Sequence, residues 1–170
     1  MKKLLSILLL VTLIASTLVL FASCDKSGLE FSLNQDEQSY TCVGFKKGKE
    51  AAEAIIPETY KDLPVTAIGD KAFSTGVSYA TILGTDNSSV NGVALTSVTI
   101  PDSVVKIGNQ AFYGCSSLTS VTLPSKLESI GSEAFCRAGI SGDLVIPNTV
   151  NMLGMSAFAY FQESWKAQPR

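Results

Sequence analysis

Leu95-Thr-Ser-Val-Thr-Ile-Pro101 returns further along the chain as Leu118-Thr-Ser-Val-Thr-Leu-Pro124, and a degenerate third copy ends Asp143-Leu-Val-Ile-Pro147. The same interval, roughly 23 residues, separates Phe112, Phe135 and Phe158. Between proline and phenylalanine the columns keep register. Val104, Leu127 and Val150 stand three residues after the proline; Ile107, Ile130 and Leu153 stand six after it. Gly108, Gly131 and Gly154 come next, and Ala111, Ala134 and Ala157 precede the phenylalanines. A period of this length marks a chain built from stacked, self-similar coils, and it takes precedence over any local reading.

Working outward, an irregular earlier copy runs from Ile56-Pro57 to Ile68-Gly69-Asp-Lys-Ala72-Phe73, with extra residues between Pro57 and Ile68. A second insertion, 74–94, is rich in Gly, Ser, Thr and Asn and reads as a loop. Each column has a physical cause. Val98 and Ile100, like Val121 and Leu123, alternate with polar residues, as a half-buried strand requires. The proline ends the strand because it cannot donate to a ladder. The Ile-Gly pair is expected to turn the chain back, glycine allowing either a positive φ or a close backbone approach. Asp70, Asn109 and Ser132 follow the glycine and are good N-caps, which predicts a short helical turn carrying Ala-Phe. Met155 breaks that rule in the last copy. The phenylalanines are expected to stack as an interior spine.

Leu95 to Cys115 and Ile56 to Phe73 resemble the BspA-type, or Treponema pallidum-type, leucine-rich repeat. The resemblance covers roughly residues 54–160. It implies a β-rich solenoid, a leucine-rich-repeat horseshoe with short helical turns on the convex side. It further implies about four repeats, each of roughly 23 residues, preceded by an N-terminal β-hairpin cap. The alternation from Leu29 to Lys47 fits such a hairpin. Departures are Ser141 where a strand leucine is expected, the 74–94 insertion, and Cys136 lying nearer its phenylalanine than Cys115 does.

The first residues read as a targeting segment. Lys2 and Lys3 precede an apolar run from Leu4 to Phe21, small residues Ala22 and Ser23, and then Cys24. That is the layout of a secretory signal peptide. With Cys24 it resembles a bacterial lipobox, in which the cysteine becomes the lipidated first residue of the mature chain. Phe21 replaces the usual leucine. The alternative is an uncleaved N-terminal anchor. The resulting organisation is 1–23 signal peptide, 24–50 lipidated cysteine, linker and hairpin cap, 51–160 solenoid with its loop 74–94, and 161–170 C-terminal tail. After Phe158 no further strand is expected. Tyr160, Phe161 and Trp165 either cap the last repeat or form a sticky end for self-association or a partner.

Without residues 1–23 the chain keeps 11 basic residues against 15 acidic ones, a net charge of −4, and no basic stripe remains for nucleic acid. The chain has no histidine, which removes a Ser-His-Asp triad, a Cys-His dyad and most catalytic zinc sites. No Walker or dinucleotide glycine loop is present. Asp70, Asp102, Glu128 and Glu133 read as solvated carboxylates. Asn87-Ser88-Ser89 is a formal glycosylation sequon. Cys42, Cys115 and Cys136 read as buried hydrophobes, with a Cys115–Cys136 bridge the alternative. No cofactor or metal is expected.

Repeat solenoids present extended surfaces. In register, the outward strand positions form two columns. One holds Glu53, Ser97, Ser120 and Asp143; the other holds Ile55, Thr99, Thr122 and Val145. Ser97, Thr99, Ser120, Thr122, Asp143 and Val145 are therefore the candidate ligand-binding residues, set against the plainer reading that they are solvent-facing strand positions. The 74–94 loop, with Tyr79, Ile82 and Leu83, is a second candidate contact. The expected function is non-catalytic: a surface-exposed lipoprotein, held to the membrane through lipid on Cys24, that binds protein or glycan on host or bacterial surfaces. Adhesion is what the family resemblance implies. The alternative is a periplasmic structural or assembly subunit joined through its tail. An enzyme or solute-binding protein is the remaining class.

Overall fold

The computed structural model describes residues 27–75, 94–141 and 143–160, and the backbone of 166–167. Residues 1–26, with Cys24 and the signal segment, lie outside the described residues, as do most of the 74–94 loop and Phe161 and Trp165.

β1 (Leu29–Leu33) and β2 (Tyr40–Phe45) form an antiparallel hairpin. It buries Leu29 and Cys42, packs Phe31, Tyr40 and Phe45 partly against the core, and leaves Leu33 and Val43 exposed. β2 then pairs in parallel with β5 (Leu63–Ile68), so the hairpin joins the solenoid as an extra coil. From there the chain alternates between two parallel ladders. β3 (Glu53–Ile55), β6 (Ser97–Thr99) and β8 (Ser120–Val121) make one sheet. β5, β7 (Lys106–Ile107), β9 (Ser129–Ile130) and β11 (Met152–Leu153) extend the hairpin into a seven-stranded sheet that also takes in β4 (Thr59–Tyr60). The extra residues of the irregular first copy are that β4–β5 hairpin. Lys61 and Asp62, at φ of 48° and 66°, supply the paired left-handed residues a two-residue turn needs. Tyr60 packs from there onto Phe31 and Tyr40, at centroid distances of 4.3 and 5.0 Å, and ties the cap to the first coil.

Two sequence expectations change. The Ile-Gly pair does not simply turn the chain: Ile68, Ile107, Ile130 and Leu153 each end a strand of the large sheet, and the bend follows the glycine. Nor do Asp70, Asn109 and Ser132 cap helical turns, since no helix occurs among the described residues. The reason is where the backbone N–H groups go. Lys71, Phe73, Gln110, Phe112, Glu133 and Phe135 donate not along their own turn but to carbonyls of the following coil: Asn109, Ala111, Ser132, Ala134, Met155 and Ala157, at 2.7–2.9 Å. Left-handed residues at Lys71, Gln110, Glu133 and Ser156 aim them there. The cap residues act across coils too. The Asp70 carboxylate accepts the Asn109 N–H at 2.7 Å, and the Asn109 side-chain oxygen accepts the Ser132 N–H at 2.9 Å. Satisfying the turn with the neighbour's backbone removes the need for a helix.

The interior is the aromatic spine. Phe73, Phe112, Phe135 and Phe158 stack with centroid separations of 5.3, 5.0 and 5.5 Å and interplanar angles of 7°, 10° and 6°. Phe45 closes the N-terminal end edge-on to Phe73 at 5.3 Å. The sequence pattern omits Phe45 because the hairpin lies outside the repeat register. Cys42, Cys115 and Cys136 are buried and in no disulfide, so no Cys115–Cys136 bridge forms. The Cys115 thiol donates to the Phe73 carbonyl at 3.1 Å. Burial pushes the pKa of that thiol up to about 12, against a smaller lowering by a hydrogen bond with the Thr75 side chain. At pH 8 its thiolate fraction is then about a thousandfold below that of a free cysteine. Iodoacetamide should leave Cys115 unmodified in the folded chain and label it after denaturation. Labelling at the rate of a solvent thiol would contradict its place in the core.

Candidate binding face

The β3–β6–β8 sheet sets the first three members of one column and the first two of the other as the repeat predicts. Glu53 pairs with Ser97 and Ser97 with Ser120, while Ile55 pairs with Thr99. Between them Ala54, Val98 and Val121 point inward and are buried. Thr122, directly after β8, is exposed like Thr99. The result is a flat row of hydroxyls, with Ile55 at one end, 66 % exposed.

The fourth members depart from the predicted columns. Asp143 and Val145 are exposed, but β10 (Val145–Ile146) does not continue the β3–β6–β8 sheet. Ser141 explains the break. In the copy that begins at Leu118, that leucine fills the interior with two residues between it and buried Val121. In the copy that ends at Pro147, Ile140 fills it one position early and is 3 % exposed, while Ser141 faces out. Three residues rather than two then separate Ile140 from buried Leu144, and the surplus residue loosens the ladder against β8. The coils remain joined on either side, by the Ser141 N–H to the Thr119 carbonyl and the Thr149 hydroxyl to the Leu127 carbonyl, at 3.2 and 2.7 Å. An open cleft of about 450 Å³ results, in which Thr122, Asp143 and Val145 meet Leu123, Ser125 and Asn148. The sequence reading missed Leu123, Ser125 and Asn148. The one available signal was Ser141 itself, the residue that breaks the repeat.

The cleft places hydroxyls, the Asp143 carboxylate and the Asn148 amide beside Val145 and Leu123. With no histidine in the chain, no imidazole can activate Thr122 or Ser125. Of the 74–94 loop, Tyr79, Ile82 and Leu83 lie outside the described residues.

Among the described residues the last coil differs from the others in its exposure. Leu153 occupies the column in which Ile68, Ile107 and Ile130 are buried, yet it is 49 % exposed, and Met152 and Met155 are 65 % and 82 % exposed. Tyr160, also exposed, lies against the Arg137 guanidinium at 5.3 Å, and the same guanidinium stands 6.0 Å from the Tyr113 ring. Contrary to the sequence expectation, a strand does follow Phe158: β12 (Lys166–Ala167) pairs in parallel with β10. The tail therefore adds to the sheet that starts at β10 and leaves β11 as the terminal strand of the large sheet.

Coils of two short parallel strands, stacked on a phenylalanine spine, define a leucine-rich-repeat protein. Residues 86–166 match the family described as the BspA type leucine rich repeat region. A leucine-rich repeat protein from Bacteroides capillosus is 26 % identical with a TM-score of 0.66, the match covering 84 % of this chain and 96 % of that one. The T. pallidum leucine rich repeat protein is 24 % identical with a TM-score of 0.53, covering 79 % of this chain and 65 % of that one. The pneumococcal vaccine antigen PcpA is 22 % identical with a TM-score of 0.57, over 84 % of this chain and 37 % of that one. This chain thus spans nearly all of the first structure but a little under two thirds of the second. No curated protein matches the chain.

Proposed function

We propose that this chain is an exported, lipid-anchored repeat protein displayed at the cell surface, where it adheres to protein or glycan on host or neighbouring cells. The row Ser97, Ser120, Thr99 and Thr122, running into the cleft beside Asp143 and Val145, carries this reading, because it is a row of exposed hydroxyls between the Glu53 and Asp143 carboxylates, with apolar relief at Ile55 and Val145. The horseshoe curvature implied by the family would make this face concave. Cys24 is the proposed lipidation site. BspA-type repeats are scaffolds for protein interaction, and a vaccine antigen shares the fold.

A Ser120→Arg, Thr122→Arg double variant puts two bulky charges on the face and leaves the buried Val121 untouched. Retention of host-matrix or bacterial surface protein by the full-length chain is expected to fall at least about tenfold, or ~1.4 kcal/mol, with melting temperature unchanged. Equal retention by both proteins would remove this face from the function. Protease shaving of intact cells checks the location: digestion without lysis supports surface display, and protection until lysis overturns it.

A second reading, a periplasmic assembly subunit, draws on Met152, Leu153, Met155 and Tyr160, an apolar end of the kind that partners cover. It requires self-association or a stable complex, read by size exclusion, that deletion of Phe161–Arg170 abolishes.

A further inference from the structure

A second concavity, of about 360 Å³, lies on the seven-stranded sheet where the hairpin meets the first coil. Its volume falls within the roughly 300–1,000 Å³ of small-ligand sites. Two local features shape it. The first is an irregularity in the β2–β5 ladder: Tyr40 pairs with Val65 but Thr41 pairs with Ala67, which leaves Thr66 as an extra residue. Such a bulge re-aims side chains, and both Thr66 and Ala67 line the cleft. The second is Ala67 itself. It sits laterally between Thr41 of β2 and Lys106 of β7, so a single methyl group forms the floor between two longer side chains.

The walls are polar and held in place. The Asn34 amide donates to Ser39 Oγ at 2.8 Å and Thr66 Oγ1 at 3.4 Å, and its oxygen accepts the Thr41 hydroxyl at 2.6 Å. Asp36 accepts the Gln38 N–H at 2.9 Å and the Ser39 hydroxyl at 2.9 and 3.2 Å, and Ser39 is only 6 % exposed. Asp70 is fixed by the Asn109 N–H. The Lys106 ammonium, also lining the cleft, makes no ion pair among the described residues.

We propose that this cleft binds a neutral polyhydroxylated ligand, one or two sugar rings of a glycan, at a site separate from the β3–β6–β8 face. The free hydrogen-bonding capacity is mixed. Asp36 and Asp70 have lone pairs left to accept from ligand hydroxyls, whereas Lys106 and the Thr66 hydroxyl can donate to them. A sugar hydroxyl does both at once. Two carboxylates against one ammonium disfavour an anionic ligand. An extended peptide adding to the sheet is disfavoured as well, since β2, β5 and β7 each already have neighbours on both sides. Among the described residues no aromatic ring lines the cleft, which sets the expected affinity in the millimolar range, Kd about 1–10 mM.

The test is a ¹H–¹⁵N NMR titration of the full-length chain with cellobiose, chitobiose and mannobiose, with a glucuronic-acid disaccharide as the anionic comparison. Saturable shifts centred on the amides of Thr41, Thr66, Ala67 and Lys106 are expected with at least one neutral disaccharide. Ala67→Leu, which fills the floor, should weaken binding about tenfold or more, while Ala67→Gly retains it. The Ser120→Arg, Thr122→Arg variant should bind the disaccharide normally, which separates this site from the face proposed above. Absence of saturable shifts up to about 50 mM, shifts centred on Thr122 instead, or tighter binding of the anionic sugar would each overturn the proposal. The wild-type shift map stands as a readout even if a variant folds poorly.

Discussion

Phe135→Ala is expected to destabilise the solenoid by about 3–5 kcal/mol, the usual cost of removing a buried aromatic side chain and leaving its cavity. Phe135 is 0 % exposed, with Phe112 stacked at 5.0 Å on one side and Phe158 at 5.5 Å on the other. Its removal empties the spine between two coils. In a solenoid each coil is stabilised mainly by its neighbours, so the damage should be directional. The coil carrying Phe158 loses the ring it stacks on, whereas Phe73, Phe112 and the hairpin keep a stacked or edge-on partner. Thermal denaturation followed by circular dichroism should show a fall on the order of 10–20 °C. Hydrogen exchange should find the amides of 143–160 losing protection before those of β1 and β2. A melting temperature within about a degree or two of the wild type would mean that the spine does not hold the coils together.

Gly131→Ala should be comparably damaging, for a different reason. A Cβ on Gly131 would lie 2.5 Å from the Asn109 nitrogen and 2.6 Å from the Gly108 carbonyl carbon, both backbone atoms of the preceding coil. Neither can swing aside. The Asn109 N–H is already committed to Asp70. To admit the methyl, the coils must part, which lengthens the Gly131 N–H to Ile107 carbonyl bond, now 2.8 Å, and loosens the phenylalanine stack. The expected cost is about 3 kcal/mol or more, at or above the upper end for overpacked sites. Gly48→Ala is the control. Gly48 has φ of +76° but nothing within 4 Å of an added methyl, so only backbone strain of about 1 kcal/mol applies. Urea denaturation of the two variants should separate them clearly. Equal, mild effects would contradict the close approach of the coils.

The glycine column also marks where reading the residues stops. The recurrence of Gly108, Gly131 and Gly154 was plain, but two explanations fitted it, a left-handed backbone or crowding. Position in three dimensions decides for crowding, and the left-handed positions fall two residues further on, at Gln110, Glu133 and Ser156, residues with no compositional sign of it. Asp70, Asn109 and Ser132 behave similarly. Their chemistry as acceptors for backbone N–H groups was legible, but their partner was not. A side chain that can cap its own turn can equally cap the next coil, and the distance between coils settles which.

The binding face divides along the same line. Ser97, Ser120, Thr99 and Thr122 follow from a repeat of constant length with strand alternation, because identical local patterns stacked in register must form columns. That Asp143 and Val145 leave those columns to line a cleft depends on one misplaced interior residue, Ile140.

What the sequence determined by itself is the periodic part: parallel coils, inward Leu, Ile, Val and Phe columns, and an outward row of small hydroxyls. These depend only on which side chains avoid water and how often they recur. What the tertiary structure decided is everything that lies between coils. The second strand of each coil, the replacement of helical turns by a ladder of backbone bonds, the β10–β12 pairing and both clefts arise from contacts between residues that are distant in sequence. A backbone N–H carries no sequence mark of where its acceptor will be, so these features become visible only when the coils are stacked.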